Sequence, residues 1–275
     1  MLKLHIFSAF FIFFVYSAPL DAPEDVTSCL KNFYEAAYSE EYNCTNKYDF
    51  LSNDAVIQKN AYTLGKDCFL SVIHGKCSKP QYSSISKNYE QIAETITEEP
   101  ENGTSCSDLH YTYNALKCTP MMMDFGLKSL GIAFAKPKMN DPKLLNMINF
   151  CDKIQTCMAP ACYYPEESKK LINMSCEGMQ LLNSPFTECL TNLQTHPPRS
   201  SKYSCLHGQD FNAQGIENGI EMLTIHKECT KEIMENSCGE QAVENFDKYA
   251  EISLNGLQTA KALIGLFIVD DKKPI

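Results

Sequence analysis

The chain has 275 residues, a formal net charge of −10, 14 cysteines, 14 tyrosines and no tryptophan. So acidic a chain, with no dense Lys/Arg run, repels phosphate backbones, which excludes nucleic acid as a partner class. The even cysteine count reads as seven disulfides formed in an oxidising compartment, and the lack of any Cys-x-x-Cys removes the commonest zinc-ribbon and thioredoxin-like spacings.

Lys3, the apolar run from Ile6 to Val15 and the small residues Ser17 and Ala18 have the three-part layout of a secretory signal peptide. The run is shorter than the ~20 apolar residues a spanning helix needs, so no stable membrane span is expected. Cleavage after Ser17 leaves 258 of the 275 residues, starting at Ala18, and the loss of Lys3 moves the charge to −11.

From there the apolar spacing predicts helices. Val26, Cys29, Leu30, Phe33, Tyr34, Ala37 and Tyr38 form one stripe. Ile57, Ala61, Leu64, Cys68 and Val72 form a second, read as one helix from Asp54 to Lys76, and Tyr82, Ile85, Tyr89, Ile92 and Ile96 a third. Residues 18–97 thus make a helical unit with Cys29, Cys44, Cys68 and Cys77. Residues nine apart on a continuous helix are separated by about 13 Å, whereas bridged Cα atoms lie roughly 4.4–6.8 Å apart, so Cys68 does not pair with Cys77. Two internal pairings remain, Cys29–Cys68 with Cys44–Cys77, or Cys29–Cys77 with Cys44–Cys68. Antiparallel packing of the first helix on the helix from Asp54 favours the former.

An acidic linker follows at 98–104, carrying the sequon Asn102 in a polar stretch. Two further sequons are Asn43, next to Cys44, and Asn173, inside a predicted helix. Beyond the linker, Met121, Met122, Met123, Phe125, Leu127, Leu130, Ile132 and Phe134 read as core filling or as the lining of an adaptable pocket. Leu144, Met147, Ile148, Cys151, Ile154 and Met158 form the next stripe, and Val243, Phe246, Ala250, Leu257, Ala260, Ile264 and Phe267 the last. Asp141-Pro142 and Ser184-Pro185 place a capping side chain before a first-turn proline. The tail at 259–275 reads as a helix end, because Asp270-Asp-Lys-Lys-Pro-Ile275 follows the apolar stretch where a lipid-anchor signal would stop.

The cysteine spacing repeats. Cys44-x23-Cys68-x8-Cys77 recurs as Cys205-x23-Cys229-x8-Cys238, with Cys29 and Cys189 extending the match within one residue. The flanks agree, since Lys66-Asp67-Cys68 faces Lys227-Glu228-Cys229 and the stretch from Lys87 to Ile92 resembles that from Asp247 to Ile252. Cys106, Cys118, Cys151, Cys157, Cys162 and Cys176 have no counterpart before the first copy. The predicted fold is all-α: disulfide-stapled helical bundles, with a partial four-cysteine unit followed by a full ten-cysteine domain at 105–258. Duplication implies that one pairing scheme serves both copies.

Cys151-Asp-Lys-Ile-Gln-Thr-Cys157, Cys162, Cys176, Cys189, Lys227-Glu-Cys229 and Cys238-Gly239 carry a resemblance. The chain resembles the nematode secreted cysteine-rich family catalogued as domain of unknown function nineteen, well from Cys106 to about Leu257 and partially from Cys29 to Ile96. That family implies a secreted chain with one or two copies of a bridged domain. Its usual copy has about twelve cysteines, a disulfide framework, so the ten found here imply the loss of one bridge. The resemblance transfers no catalytic or ligand-binding residue.

No Gly-x-Ser-x-Gly, His-Glu-x-x-His, P-loop or dinucleotide fingerprint occurs. The histidines left after leader removal, His74, His110, His196, His207 and His226, do not pair at metal-binding helical spacing, and His226 beside Glu228 and His74 near the end of its helix read as solvated or capping residues. No catalytic, cofactor or metal site is expected. The functional expectation is a secreted, non-enzymatic binding protein for an extracellular protein or glycan. The alternatives are a carrier of a lipid or other small apolar ligand in a helix-lined cavity, and an extracellular enzyme of unrecognised type.

Overall fold

The computed structural model describes residues 24–100, 106–135, 137–160, 162–206, 211 and 215–268. The expected leader, Asn102 and His207 lie outside these residues, as do the side chains of Ile264 and Phe267. Every regular element among the described residues is helical, as the apolar spacing predicts. In chain order they are α1 (Glu24–Tyr38), α2 (Ala55–Leu64), α3 (Lys66–Lys76), α4 (Lys79–Lys87), α5 (Tyr89–Thr97), α6 (Leu109–Ala135), α7 (Pro142–Met158), α8 (Glu166–Leu182), α9 (Pro185–Thr195), α10 (Ile216–Leu223), α11 (Lys227–Cys238) and α12 (Phe246–Ile268). Short 3-10 turns lie at Asn43–Asn46, Ser200–Lys202, Ser204–Leu206 and Glu240–Ala242.

The chain divides into two compact units. One contains the described residues up to Gly126 together with Asp152–Lys170; the other contains Leu127–Cys151 and the described residues from Leu171. In the first, α1 packs on α3 and α2 on α5. Its core is aromatic: Phe33 lies 5.0 Å from Phe50 and 4.4 Å from Phe69 between ring centroids, and Tyr62 joins the cluster. Burying phenols requires partners for their hydroxyls. Tyr34 and Tyr62 bond each other at 2.8 Å, and Tyr89 donates to the Tyr62 carbonyl. Tyr113 and Leu116 of α6 belong to the same core.

The predicted helix from Asp54 to Lys76 is two helices broken at Gly65. A Cβ at Gly65 would collide with the Ala61 carbonyl oxygen and meet Phe50 Cζ at 2.8 Å, so only glycine admits the approach. The bridges are Cys29–Cys77 and Cys44–Cys68, the reverse of the pairing that the cysteine spacing favours on one unbroken helix. Cys68 sits in the first turn of α3 and Cys77 just past its last, and antiparallel packing of α1 on α3 sets Cys29, near the start of α1, beside Cys77.

The second unit repeats this scheme with Cys189–Cys238 and Cys205–Cys229. Here α9 packs on α11 and α10 on α12, around Phe186, Leu193, Ile233, Met234, Phe246 and Leu257. Burial keeps the 161-residue offset from Cys44 to Cys205 into the last helix: Ile85, Tyr89 and Ile96 correspond to Phe246, Ala250 and Leu257, all buried. The aligned stretch from Lys87 is therefore displaced by one residue from its sequence match. The copies differ after the last cysteine. Ser78 and Gln81 form a capping box that starts α4, whereas Gly239 takes a positive φ of 87° and only a 3-10 turn follows. Of the remaining bridges, Cys106–Cys162 and Cys118–Cys157 lie within the first unit and Cys151–Cys176 within the second.

Candidate interaction surface

The side chain of Asp54 caps α2 by accepting from the amides of Val56 and Ile57. Inward, α2 buries Gln58, Ala61 and Tyr62. At 100° per residue, Val56, Ile57, Asn60, Thr63 and Leu64 then fall within an arc of about 120° facing solvent. That arc carries no charge, and Val56 is 70% exposed, Ile57 48% and Leu64 70%. Ile57 and Leu64, assigned to the buried stripe from sequence, therefore lie on the surface. The inversion has a physical cause. The Gln58 amide donates to buried Asn114 Oδ1 at 2.7 Å, and Asn114 Nδ2 donates to the carbonyls of Ile96 and His110 at 2.8 and 2.9 Å. A satisfied amide lets Gln58 share the inward side with Ala61 and Tyr62, which leaves Val56, Ile57 and Leu64 facing out.

One flank of this arc is acidic. Glu90 and Glu94 on α5 and Glu98 at its C-cap are exposed at four-residue intervals. Lys66 pairs with Glu90 at 2.5 Å and Lys59 with Glu98 at 2.7 Å, and the Glu98 hydrogen bond raises the pKa of the Lys59 ammonium. Such exposed pairs add little stability, but they use up both lysines beside the arc.

Lys117, only 2% exposed, is the buried charge of the first unit. Its ammonium donates to the Ser52 carbonyl at 2.9 Å and sits 5.4 Å from the Tyr163 ring centroid. Burial pushes its pKa down to about 8, opposed by Asp49. It is enclosed, so its role is to hold the 49–54 turn against α6. His110 is half-buried, with Nδ1 3.1 Å from the Thr95 carbonyl oxygen, and burial lowers its pKa.

All fourteen cysteines are bridged. Asn43 and Asn173 are both exposed. The Thr45 hydroxyl of the first sequon donates to the Tyr42 carbonyl at 2.7 Å, and Ser175 of the second to that of Leu171 at 2.9 Å. His74 stacks edge-on against Tyr82, His196 ends α9 and His226 precedes α11. No group of three His, Cys, Asp or Glu among the described residues is arranged to hold a metal ion. On α6, Phe125 and Ile132 are buried while Met123, Leu127 and Phe134 are exposed, so that stripe is only half core. An open groove of about 390 Å³ beside Cys189–Cys238 is lined by Glu188, Asn192 and His196 as well as Leu193 and Ala242, a mixed wall unlike an apolar cargo site.

The family model described as Domain of unknown function (DUF19) matches the chain twice, over residues 22–107 and 106–259. The chain belongs to this family. Each matched DUF19 segment carries one set of the two repeated bridges, Cys29–Cys77 with Cys44–Cys68 in the first and Cys189–Cys238 with Cys205–Cys229 in the second. No curated protein and no solved structure matches the chain. No helix among the described residues is long and apolar enough to cross a membrane.

Proposed function

We propose that this DUF19 protein is secreted and acts, without catalysing a reaction, by binding another extracellular protein through the outer face of α2. The observation that carries the proposal is the uncharged arc of Val56, Ile57 and Leu64 on a helix whose inward side is fully engaged. Burying one such side chain is worth about 1.5–3 kcal/mol, and the fold leaves that gain for a partner. Flat aliphatic contact suits a protein surface better than a glycan, which is recognised through hydroxyls and aromatic faces. The leader expected from the sequence and the seven bridges support an extracellular setting.

The test is capture from native extracellular fluid with the mature protein and with a Val56→Asp/Leu64→Asp variant, each bound fraction also extracted for lipid. The expected result is a protein retained by the native chain and lost from the variant, while both melt at the same temperature. Identical protein sets from both baits contradict the proposal, and a stoichiometric lipid shared by both baits turns the reading to the carrier.

A further inference from the structure

Leu64 has a counterpart. At the 161-residue offset, Leu64-Gly65-Lys66-Asp67-Cys68 corresponds to Ile225-His226-Lys227-Glu228-Cys229. Leu64 closes α2 before α3, and Ile225 lies between α10 and α11, each four residues before the cysteine bridged to Cys44 or Cys205. Ile225 is 78% exposed. Single exposed aliphatics are ordinary. A large aliphatic held in solvent at the same corner of both copies is not explained that way, because the copies have diverged elsewhere on this face: Val56 and Ile57 correspond to Glu217 and Asn218.

The charges around the two corners also correspond. Lys66 and Lys227 each open a helix, and each is tied to a carboxylate of the last helix of its copy, Glu90 at 2.5 Å and Asp247 at 2.6 Å. The next residue is an exposed acid in both, Asp67 and Glu228. A first-turn acid is favourable at a helix N-terminus for its own sake, so the acids alone signify nothing. In the second copy Glu251 adds an exposed carboxylate close enough to act on Lys227. Each corner is thus an aliphatic knob with its lysine neutralised internally and its carboxylates facing solvent.

We infer that the two corners are copies of one docking element, and that each receives a cationic amphipathic segment of a partner protein. An apolar side chain of the segment covers Leu64 or Ile225, and its Lys or Arg residues meet the carboxylates. For Leu64 this deepens the reading of the α2 face; for Ile225 it adds a site on the other copy.

The experiment titrates the full mature protein with two synthetic helical peptides, one of Leu and Lys and one of Leu and Glu in the same pattern, at low ionic strength. The native chain is expected to take two Leu/Lys peptides. Leu64→Ser and Ile225→Ser are each expected to take one, the double variant to bind at least tenfold more weakly, and no chain to bind the Leu/Glu peptide. Circular dichroism confirms that these surface variants stay folded, and Asp67→Asn with Glu228→Asn is expected to weaken both sites with the aliphatics intact. An Ile225→Ser chain that still takes two peptides overturns the inference while leaving the α2 reading standing. Equal binding of the Leu/Glu peptide overturns the cationic class. The α2 reading itself fails separately, by unchanged capture with its own variant.

Discussion

Lys117 shows how a single buried group makes stability depend on pH. Its pKa falls from 10.5 to about 8 on folding because its ammonium loses water and gains one carbonyl. Between those values the unfolded chain holds the proton and the folded chain does not, so stability rises with pH from about 8 toward 10.5 and is lost as pH falls through 8; below that the cost is constant. At 1.36 kcal/mol per pKa unit the whole effect is about 3 kcal/mol. Tyr34 and Tyr62 oppose it higher up, since burial raises their pKa values and unfolded tyrosines ionise from about pH 10. The clean window is therefore pH 8 to 10. Urea unfolding of Lys117→Met is expected to lose the rise across that window; an unchanged slope would show that another group produces it. Asn114→Leu is the companion change. It strands the buried Gln58 amide and is expected to cost about 1–3 kcal/mol in the same assay, whereas a neutral result would mean that water replaces Asn114.

Gly65 decides more than its size suggests, because its break separates α2 from α3 and places Cys68 at the start of a helix. Gly65→Ala would press a methyl onto a backbone carbonyl and the Phe50 ring, with an expected cost of about 1–3 kcal/mol by overpacking, read as a lower melting temperature. An unaltered melting temperature would mean that α2 and α3 shift without cost. This element also marks where the sequence stops being legible. Helical class, the first helix, the capped starts at Asp141 and Ser184 and the repeated cysteine spacing are all local signals, and they carry through. A lone glycine inside a 3.6-residue pattern does not announce a break, because its cause is the approach of Phe50, brought in by the chain around it. The candidate surface was hidden for the same reason. Gln58 lies inward with its amide satisfied by Asn114, 56 residues away, so Ile57 and Leu64 look like core until that partner is placed.

At the scale of the whole molecule, the first repeat does not stand alone. Tyr113 and Leu116 complete its core, Asn114 and Lys117 satisfy its polar groups, and Asn53 donates to the Thr156 carbonyl at 2.9 Å. A fragment of residues 18–104 is therefore expected to form its two bridges yet melt without cooperativity; a sharp transition matching that of the full chain would show that the repeat is self-sufficient. One bridged helical scheme is used twice, and the matched corners at Leu64 and Ile225 follow from it. Peptide mapping of the unreduced mature protein tests it most directly. The expected pairs are Cys29–Cys77 with Cys44–Cys68 and, in the same pattern, Cys189–Cys238 with Cys205–Cys229. Recovery of Cys29–Cys68 or Cys189–Cys229, or of different schemes in the two copies, would contradict it.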